Sequence, residues 1–169
     1  MARRRLAEHS VSVARLAARG TRSRTHAVYR WGVQIRTARR DEIEGALALW
    51  HAAGSEPAVN ASVEGLEALF HRDPGALLVA EEDGLLVGTL VAAWDGWRGA
   101  LYRLAVLPSQ RRRGLGLALV EAGERRLQAL GARRIALVAL HDHEDAAGFW
   151  AAAGYEPDLR ITRFVKTLG

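Results

Sequence analysis

The sequence predicts an α/β (α+β) fold in which a mixed, largely antiparallel sheet is flanked by helices. Two apolar runs of strand length meet at Asp83-Gly84, and a third follows the turn around Asp95-Gly96. Asp-Gly between such runs is a strong signal for a β-hairpin. Apolar residues at helical spacing precede and follow this group of strands. At 169 residues, the chain is long enough for one domain with a sizeable core.

The region before the hairpins is predicted to contain one strand and two helices. A short alternating strand leads to Asp41, which is spaced from Glu44 as in a capping box at a helix start. The helix that follows places Trp50 on its apolar, core-facing side. A second helix is expected from Ser62 to about Arg72, because the sequence RDPG then stops it.

The region after Pro108 is predicted to alternate between helix and strand. A helix of about 15 residues ends at Gly131, the apolar run 133–140 forms a buried strand, and a capped helix ends at Gly154. The last segment, 155–168, has a strand-like pattern. The expected order is therefore strand, two helices, three strands, helix, strand, helix and strand.

Basic character is concentrated at the start of the chain. Residues 1–40 contain eleven arginines and one glutamate, whereas residues 41–169 contain 13 basic and 18 acidic side chains, which together give the net charge of +5. We therefore divide the chain into a basic, disordered extension at 1–32 and a domain at 33–169. Three interpretations of the extension stay open: a reading frame assigned too far upstream, a tail of no specific role, and an arm that binds anionic polymers or surfaces.

Composition excludes several classes of chemistry. The chain has no cysteine, so we expect no disulfide framework, thiolate zinc site or thiol nucleophile. Its one lysine, Lys166, follows no glycine-rich loop, which excludes a phosphate-binding P-loop. The sequence has neither an apolar run as long as a membrane span nor the apolar stretch of a secretory signal. We therefore expect a cytoplasmic protein without membrane partners.

Three arginines and two glycines, RRRGLG, open the helix that follows Pro108. The first N–H groups of a helix have no partner within the helix, and together with the helix dipole they attract anions. Glycine lets the backbone approach a ligand without an intervening side chain. The pattern is equally consistent with a surface arginine run, and Leu119 stands where a dinucleotide fingerprint needs its third glycine. A diphosphate site at residues 111–116 is thus one of two open interpretations.

A family resemblance favours the diphosphate site. The stretch YRLAVLPSQRRRGLGLALVEAGERRL resembles the acyl-CoA-binding motif of the GNAT family of N-acetyltransferases, which is [RQ]-x-x-G-x-[GA] after a strand that often ends at proline. Arg111, Gly114 and Gly116 fill that pattern, and AAGFWAAAGY resembles a late helix of the same family. The resemblance extends over residues 33–168.

The resemblance implies the GNAT fold, acetyl-CoA as cosubstrate, no metal, and direct acetyl transfer to an amine. In this family the fourth and fifth strands splay apart, and the pantetheine arm lies in the opening. Carried over to this chain, the backbone of Leu104, Ala105 and Val106 would pair with pantetheine. The backbone amides that would hold the pyrophosphate belong to Arg111, Arg112, Arg113, Gly114, Leu115 and Gly116.

The residues for proton transfer depart from the family pattern. The tyrosine that commonly protonates the leaving thiolate falls at Trp150, and a glutamate that some members use as base falls at Val138. Three candidates remain near the expected cleft, namely Tyr102, His141 and His143. The alternative for the tyrosine is a half-buried strand residue, and the alternative for the histidines is a helix cap or an exposed loop position. A metal site at this His-x-His is only weakly indicated.

Arg103 and the aromatic turn WDGWRG suggest an acceptor site. Two tryptophans and an arginine there could hold an acceptor with an apolar body and an acidic group. The alternative is that the aromatic side chains pack the hairpin against the second helix.

These observations predict an acyltransferase whose acceptor is a small-molecule or peptide amine. Two alternatives are a non-catalytic, regulatory acyl-CoA-binding module of the same fold and, with less support, a nucleic-acid module that uses the basic arm. The resemblance also makes a homodimer an expected state. The sequence does not identify the acceptor.

Overall fold

The computed structural model describes residues 27–28, 32–55, 57–139 and 144–167, with residues 27, 28, 144 and 145 described by their backbone. They form six strands and four α-helices. The strands are β1 (Ala27–Val28), β2 (Gln34–Thr37), β3 (Leu77–Glu82), β4 (Leu85–Trp94), β5 (Gly99–Val106) and β6 (Ile135–Leu137). The helices are α1 (Ile43–Ala52), α2 (Val63–Arg72), α3 (Leu115–Ala129) and α4 (Glu144–Ala152).

The strands lie in the sheet in chain order, and β5 and β6 form the parallel pair. Every other pair of neighbours is antiparallel. The parallel pairing joins Gly99–Leu101 to Ile135–Leu137 and goes no further. Beyond Leu101, β5 continues to Val106 with β4 on one side, and no described strand pairs with its other edge. The predicted splay is therefore confirmed; it lies between β5 and β6 in this numbering because β1 precedes the predicted strands.

The sheet separates two apolar layers. One contains α3 and the partly buried residues of α4, and the other contains α1 and α2. Strand β3 contributes side chains to both layers, because successive residues of a strand face opposite sides of the sheet. Leu78 and Ala80 face α3, whereas Leu77 and Val79 face α1 and α2. The core prediction for Trp50 is confirmed, because its side chain is buried in the α1 layer.

Two glycines bring α3 close to the sheet. A Cβ atom at Gly123 of α3 would lie 2.7 Å from Leu90 Cδ2, and one at Gly88 of β4 would lie 2.9 Å from Leu119 Cδ1. Real Cβ atoms essentially never make such short contacts. The middle of α3 therefore lies close against β4 and β5.

Several local predictions are confirmed. Asp83 and Gly84 adopt φ values of 51° and 80°, the left-handed conformations that a two-residue hairpin turn requires. The Ser62 hydroxyl accepts a hydrogen bond from the Gly65 N–H at 3.1 Å and caps α2. Helix α3 has 15 residues and ends just before Gly131, whose φ is 97°.

The predicted capping box at Asp41 is wrong. Helix α1 begins at Ile43, after a single 3₁₀ turn over Arg40–Glu42. The carboxylate that accepts a backbone N–H is Glu42, which receives the Arg39 N–H at 2.7 Å. The reason is tertiary: Arg36 of β2 binds this carboxylate through two hydrogen bonds of 2.8 and 2.6 Å.

The predicted C-terminal strand is also wrong. Residues 155–167 form no strand, and four apolar side chains of this segment are 69% to 92% exposed, namely Leu159, Ile161, Phe164 and Val165. A turn at Asp158, whose carboxylate accepts the Arg160 N–H at 3.2 Å, redirects the chain before the apolar residues. The predicted strand over 133–140 is shorter than expected, at three residues.

Two residues of the predicted basic extension belong to the sheet. Ala27 and Val28 pair with Ile35 and Gln34 of β2. The division of the chain at residue 32 stays a prediction.

We expect Glu42→Gln to destabilise the fold by about 2–3 kcal/mol at pH 7, because it breaks a buried ion pair. Burial raises the pKa of Glu42, but hydrogen bonds from Arg36 and Arg39 lower it by a larger amount. The net shift of the pKa is therefore downward. A carboxyl with a lowered folded-state pKa stabilises above its unfolded pKa of about 4.3 and loses that contribution as pH falls through the folded value. Urea unfolding at pH 7 and pH 3 should therefore show a difference from the natural chain that shrinks in acid.

Glu44→Gln is the matched control, since Glu44 is an exposed residue in the first turn of α1, two positions after Glu42. A loss of stability for Glu44→Gln equal to that for Glu42→Gln would contradict the assignment to the buried pair.

Candidate active site

The loop at residues 111–116, which we call the cradle loop, connects β5 to α3. Its backbone is unusual, because Arg112 has φ 63° and Gly114, the N-cap residue of α3, has φ 78°. A single 3₁₀ turn precedes it, in which the Arg111 N–H donates to the Pro108 carbonyl at 3.3 Å. The first intrahelical bond is Ala118 N–H to the Gly114 carbonyl. Glycine at the N-cap has no side chain with which to cap the earlier N–H groups, so they can donate to an anion.

The arginine side chains of the cradle loop contact protein groups. Arg111 donates to the Ala53 carbonyl at 2.7 Å and to the Val106 carbonyl at 3.2 Å, which joins the end of α1 to the end of β5. Arg113 forms an ion pair with Glu82 at 3.2 Å. These contacts hold the loop in place and leave its backbone as the surface that a ligand would meet.

Helix α4 covers the first turn of α3. A Cβ atom at Gly116 would lie 3.2 Å from Phe149 Cε2 and 3.9 Å from Val106 Cγ2. A larger residue at this position would therefore displace either α4 or the end of β5. The glycine allows both elements to lie against the cradle loop.

The predicted pantetheine-binding residues lie on the free edge of β5. Ala105 pairs with Thr89 and Val106 with Gly88 on the β4 side, while β6 has already ended its pairing at Leu101. The free edge, residues 102–106, leads directly to the cradle loop. The structure thus brings together the two groups of residues that the sequence predicts for the coenzyme.

A β-bulge interrupts β5 at the start of this free edge. Thr89 pairs with Ala105 and Val91 with Tyr102, so Leu90 stands opposite two residues, Arg103 and Leu104. Arg103 has φ 53°, a left-handed conformation that is rare for a side chain of this size. The bulge reverses the alternation of the strand: Leu101 packs in the α3 layer and Ala105 in the α1 layer. Tyr102 and Arg103 consequently both lie on the α1 face.

Arg103 makes contacts with Trp50 and Thr89. Its guanidinium lies 5.0 Å from the centre of the Trp50 ring, a cation–π contact. The Trp50 indole N–H donates to the Thr89 hydroxyl at 2.8 Å, and that hydroxyl donates to the Arg103 carbonyl at 3.2 Å. Burial lowers the pKa of the Arg103 guanidinium. Thr89 was not predicted from the sequence, although a polar residue inside an apolar strand is a signal that could have identified it.

Of the three catalytic candidates, the structure describes Tyr102, whose side chain is 51% exposed. His141 and His143 lie outside the described residues. Val138, at the end of β6, is 55% exposed. Among the residues that the structure describes, no group of three His, Cys, Asp or Glu side chains could hold a metal ion.

Two other aromatic residues near α4 are committed to packing. Trp150 makes edge-on contacts with Phe149 and Tyr155 at 5.0 and 5.3 Å between ring centres. The Tyr155 hydroxyl donates to Glu124 at 2.9 Å, and burial and then this carboxylate raise the pKa of the tyrosine. Neither residue is arranged to release a proton to a leaving group.

The aromatic turn does not border the cradle loop. The turn at residues 95–98 precedes β5, whereas the cradle loop follows it, so the two lie at opposite ends of that strand. Trp97 is 82% exposed. A cleft of about 510 Å³ also lies at this far end, between the C-terminal ends of α3 and α4 and the start of β6. Of the residues in the acceptor hypothesis, the structure places Arg103 alone at the free edge.

Comparison with known proteins gives a consistent result. The sequence pattern described as the Acetyltransferase (GNAT) family matches residues 41–155. The chain is 33% identical to an acetyltransferase of Pectobacterium atrosepticum over 124 residues, 73% of this chain and 88% of that one. It is 33% identical to an acetyltransferase of Sodalis glossinidius over 136 residues, 80% and 96% of the two chains.

Solved structures show a similar fold. Ard1 from Thermoplasma volcanium aligns with a TM-score of 0.65 at 21% identity, covering 73% of this chain and 82% of that one. AAC(6')-Iy, solved in complex with a bisubstrate analog, CoA-S-monomethyl-acetylneamine, aligns with a TM-score of 0.65 at 23% identity, covering 80% and 99%.

Proposed function

The chain belongs to the GNAT family of acetyltransferases, and from this premise we propose that it transfers the acetyl group of acetyl-CoA to an amine bound against the free edge of β5. The observation that carries the proposal is the continuity of the free edge, residues 102–106, with the cradle loop. The free edge can pair with an extended amide chain, and the cradle loop is a glycine-containing helix start that can bind a diphosphate.

The cradle loop and the free edge fit the coenzyme. Left-handed φ values at Arg112 and Gly114 are typical of backbone nests, in which successive N–H groups can bind one anion. Gly116 lets Phe149 of α4 pack against the first turn of α3, which holds the helix start in place. We propose that amides of residues 111–116 bind the pyrophosphate, and that Leu104, Ala105 and Val106 bind the pantetheine arm through their backbone.

Acetyl-CoA supplies an activated acyl group with a good leaving thiol. The amine nitrogen attacks the thioester carbonyl carbon, the C–N bond forms as the C–S bond breaks, and the thiolate takes up a proton while the amine loses one. A lysine-like amine with a pKa near 10.4 costs roughly 4–5 kcal/mol to deprotonate at pH 7. Holding the amine in line against β5 can contribute about 7–11 kcal/mol to catalysis.

We propose Tyr102 as the proton donor to the thiolate, because it is exposed at the start of the free edge. His141 or His143 as the base stays a prediction. No described helix is long and apolar enough to cross a membrane. A cytoplasmic location, a small-molecule or peptide acceptor and a homodimer complete the proposal.

Thiol release from acetyl-CoA, measured with a panel of small amines, peptide N-termini, lysine peptides and polyamines, tests the function. We expect release with at least one class of amine, and a reduction in kcat of at least about 100-fold for Tyr102→Phe with acetyl-CoA affinity unchanged. Tyr155→Phe is the matched control, because its hydroxyl binds Glu124 and lies away from the free edge.

Two outcomes would change the proposal. Binding of acetyl-CoA without thiol release from any amine would favour a non-catalytic acyl-CoA-binding module. Full turnover by Tyr102→Phe would exclude this tyrosine as the donor.

A further inference from the structure

A carboxylate, that of Glu82, lies against the cradle loop. Glu82 is the last residue of β3 and pairs with Leu85 across the Asp83-Gly84 turn. It continues the alternation of Leu78 and Ala80, which face the α3 layer. The hairpin therefore holds this carboxylate on the side of the sheet that α3 covers.

The two oxygens of Glu82 bind residues on either side of Arg112. Oε2 accepts a hydrogen bond from the Gln110 side-chain amide at 2.5 Å, and Oε1 lies 3.2 Å from Arg113 Nη2 in an ion pair. The Arg113 guanidinium also donates to the Gln110 side-chain carbonyl, which closes a ring of three side chains. The Glu82 side chain is 19% exposed, so its contacts are partly shielded from water.

Arg112, which lies between two members of this ring, has a strained backbone. Its φ of 63° is rare for a residue other than glycine, and such strain persists only where the surrounding structure enforces it. Gln110 belongs to the 3₁₀ turn before the cradle loop, and Arg113 directly precedes Gly114, the N-cap residue of α3. Because Glu82 binds both, it fixes the two ends of the segment that contains the left-handed residue.

The charge of Glu82 is unfavourable for the proposed ligand. On the proposed function, the amides of residues 111–116 bind a pyrophosphate, and a carboxylate beside that site repels it. Removal of the carboxylate would strengthen coenzyme binding if charge alone mattered. It would weaken coenzyme binding if the contacts of Glu82 maintain the arrangement of the amides. The direction of the change therefore distinguishes the two roles.

We propose that Glu82 is a positioning residue for coenzyme binding, which acts through Gln110 and Arg113 to hold the Arg112 backbone in its left-handed conformation. The inference rests on the proposed function. A loop that is already ordered avoids the entropic cost of being ordered on binding. Glu82 itself touches neither the coenzyme nor the reacting atoms, so its effect belongs to the binding of acetyl-CoA and not to the chemical step.

Titration calorimetry with acetyl-CoA compares the natural chain with Glu82→Ala and Glu82→Gln. We expect Glu82→Ala to weaken acetyl-CoA binding by about 10-fold, because the loop loses both contacts and must be ordered on binding. Glu82→Gln keeps one acceptor oxygen but loses the ion pair, and is expected to weaken binding by about 3-fold. In the thiol-release assay, Glu82→Ala should raise the KM for acetyl-CoA and change kcat little.

A second background tests the route through Arg112. Asparagine adopts the left-handed conformation more readily than arginine, so Arg112→Asn reduces the strain that the Glu82 contacts oppose. The loss of affinity caused by Glu82→Ala should therefore be smaller in the Arg112→Asn background, at about 3-fold instead of about 10-fold. If Glu82 only stabilised its own hairpin, the loss would be the same in both backgrounds.

Glu44→Ala is the control for net charge. Glu44 is an exposed carboxylate in the first turn of α1, at the other end of that helix from Ala53, which contacts the cradle loop. Urea unfolding of every variant separates a loss of binding from a loss of folding. Glu82→Gln provides the test if Glu82→Ala does not fold.

The outcomes separate the two proposals. Binding of acetyl-CoA by the folded Glu82 variants that is as tight as in the natural chain, or tighter, would overturn the inference while the acetyltransferase proposal stands. An equal loss in the two Arg112 backgrounds would do the same. Absence of acetyl-CoA binding by the natural chain would overturn both.

Discussion

Gly114→Glu is expected to lower the affinity for acetyl-CoA by at least about 100-fold, because it displaces directed backbone donors and adds a negative charge at the proposed pyrophosphate site. Gly114 has φ 78°, so any side chain there is strained and the loop would rearrange. Space is not the limiting factor, since no atom lies within 4 Å of a Cβ at this position. Titration calorimetry with acetyl-CoA and with CoA measures the effect.

Gly96→Glu is the matched control for this prediction. Gly96 has φ 94°, also has no atom within 4 Å of a Cβ, and lies in the turn before β5, at the other end of that strand. The two variants therefore share the backbone cost and the added charge. If both bind acetyl-CoA as tightly as the natural chain, the pyrophosphate site has been misplaced.

Gly123→Val is expected to be the most destabilising single change proposed, at about 3 kcal/mol, because it overfills a packed core. The new Cβ would lie 2.7 Å from Leu90 Cδ2 and 3.3 Å from Leu101 Cδ2. Leu90 is fully buried, so its side chain can move away only by displacing other core residues. At roughly 2–4 °C per kcal/mol for a chain of this size, Tm should fall by about 6–12 °C.

Gly148→Val makes the same change within α4, where a Cβ meets no atom within 4 Å. Intrinsic helix propensity makes this control neutral or slightly stabilising. Urea unfolding of the two variants isolates the steric contribution. Equal stabilities would show that the sheet can move away from α3 at little cost.

The features predicted correctly from the sequence are those with local causes. The turn at Asp83-Gly84 and the start of α2 after Ser62 depend on residues within three positions of each other. The capping box failed because Arg36 of β2 determines where the Glu42 carboxylate lies. The strand-like pattern after Gly154 showed which side chains could face one side of a strand, but a strand also needs a partner, and no described strand pairs with this segment.

In the candidate site, too, features with local causes could be predicted and features that depend on distant residues could not. The start of α3 after a glycine-containing turn could be predicted from the sequence, because helix-start geometry depends on few residues, whereas diphosphate binding by this turn stays a prediction. The partners of its arginines could not be predicted, since Ala53 is 58 positions and Glu82 is 31 positions away in sequence. The conformation of Arg103 depends on the register between β4 and β5, which no pattern within a single strand specifies.

The short pairing between β6 and β5 affects how easily β6 opens away from the sheet. Three residue pairs join β6 to β5, whereas β4 pairs with both of its neighbours over most of its length. Amide hydrogen exchange at residues 135–137 should therefore proceed through local opening, at a lower free energy than exchange in β4. Strand β6 can then open away from β5 while the rest of the sheet stays folded, and on the proposed function this opening would give CoA a route out along the free edge.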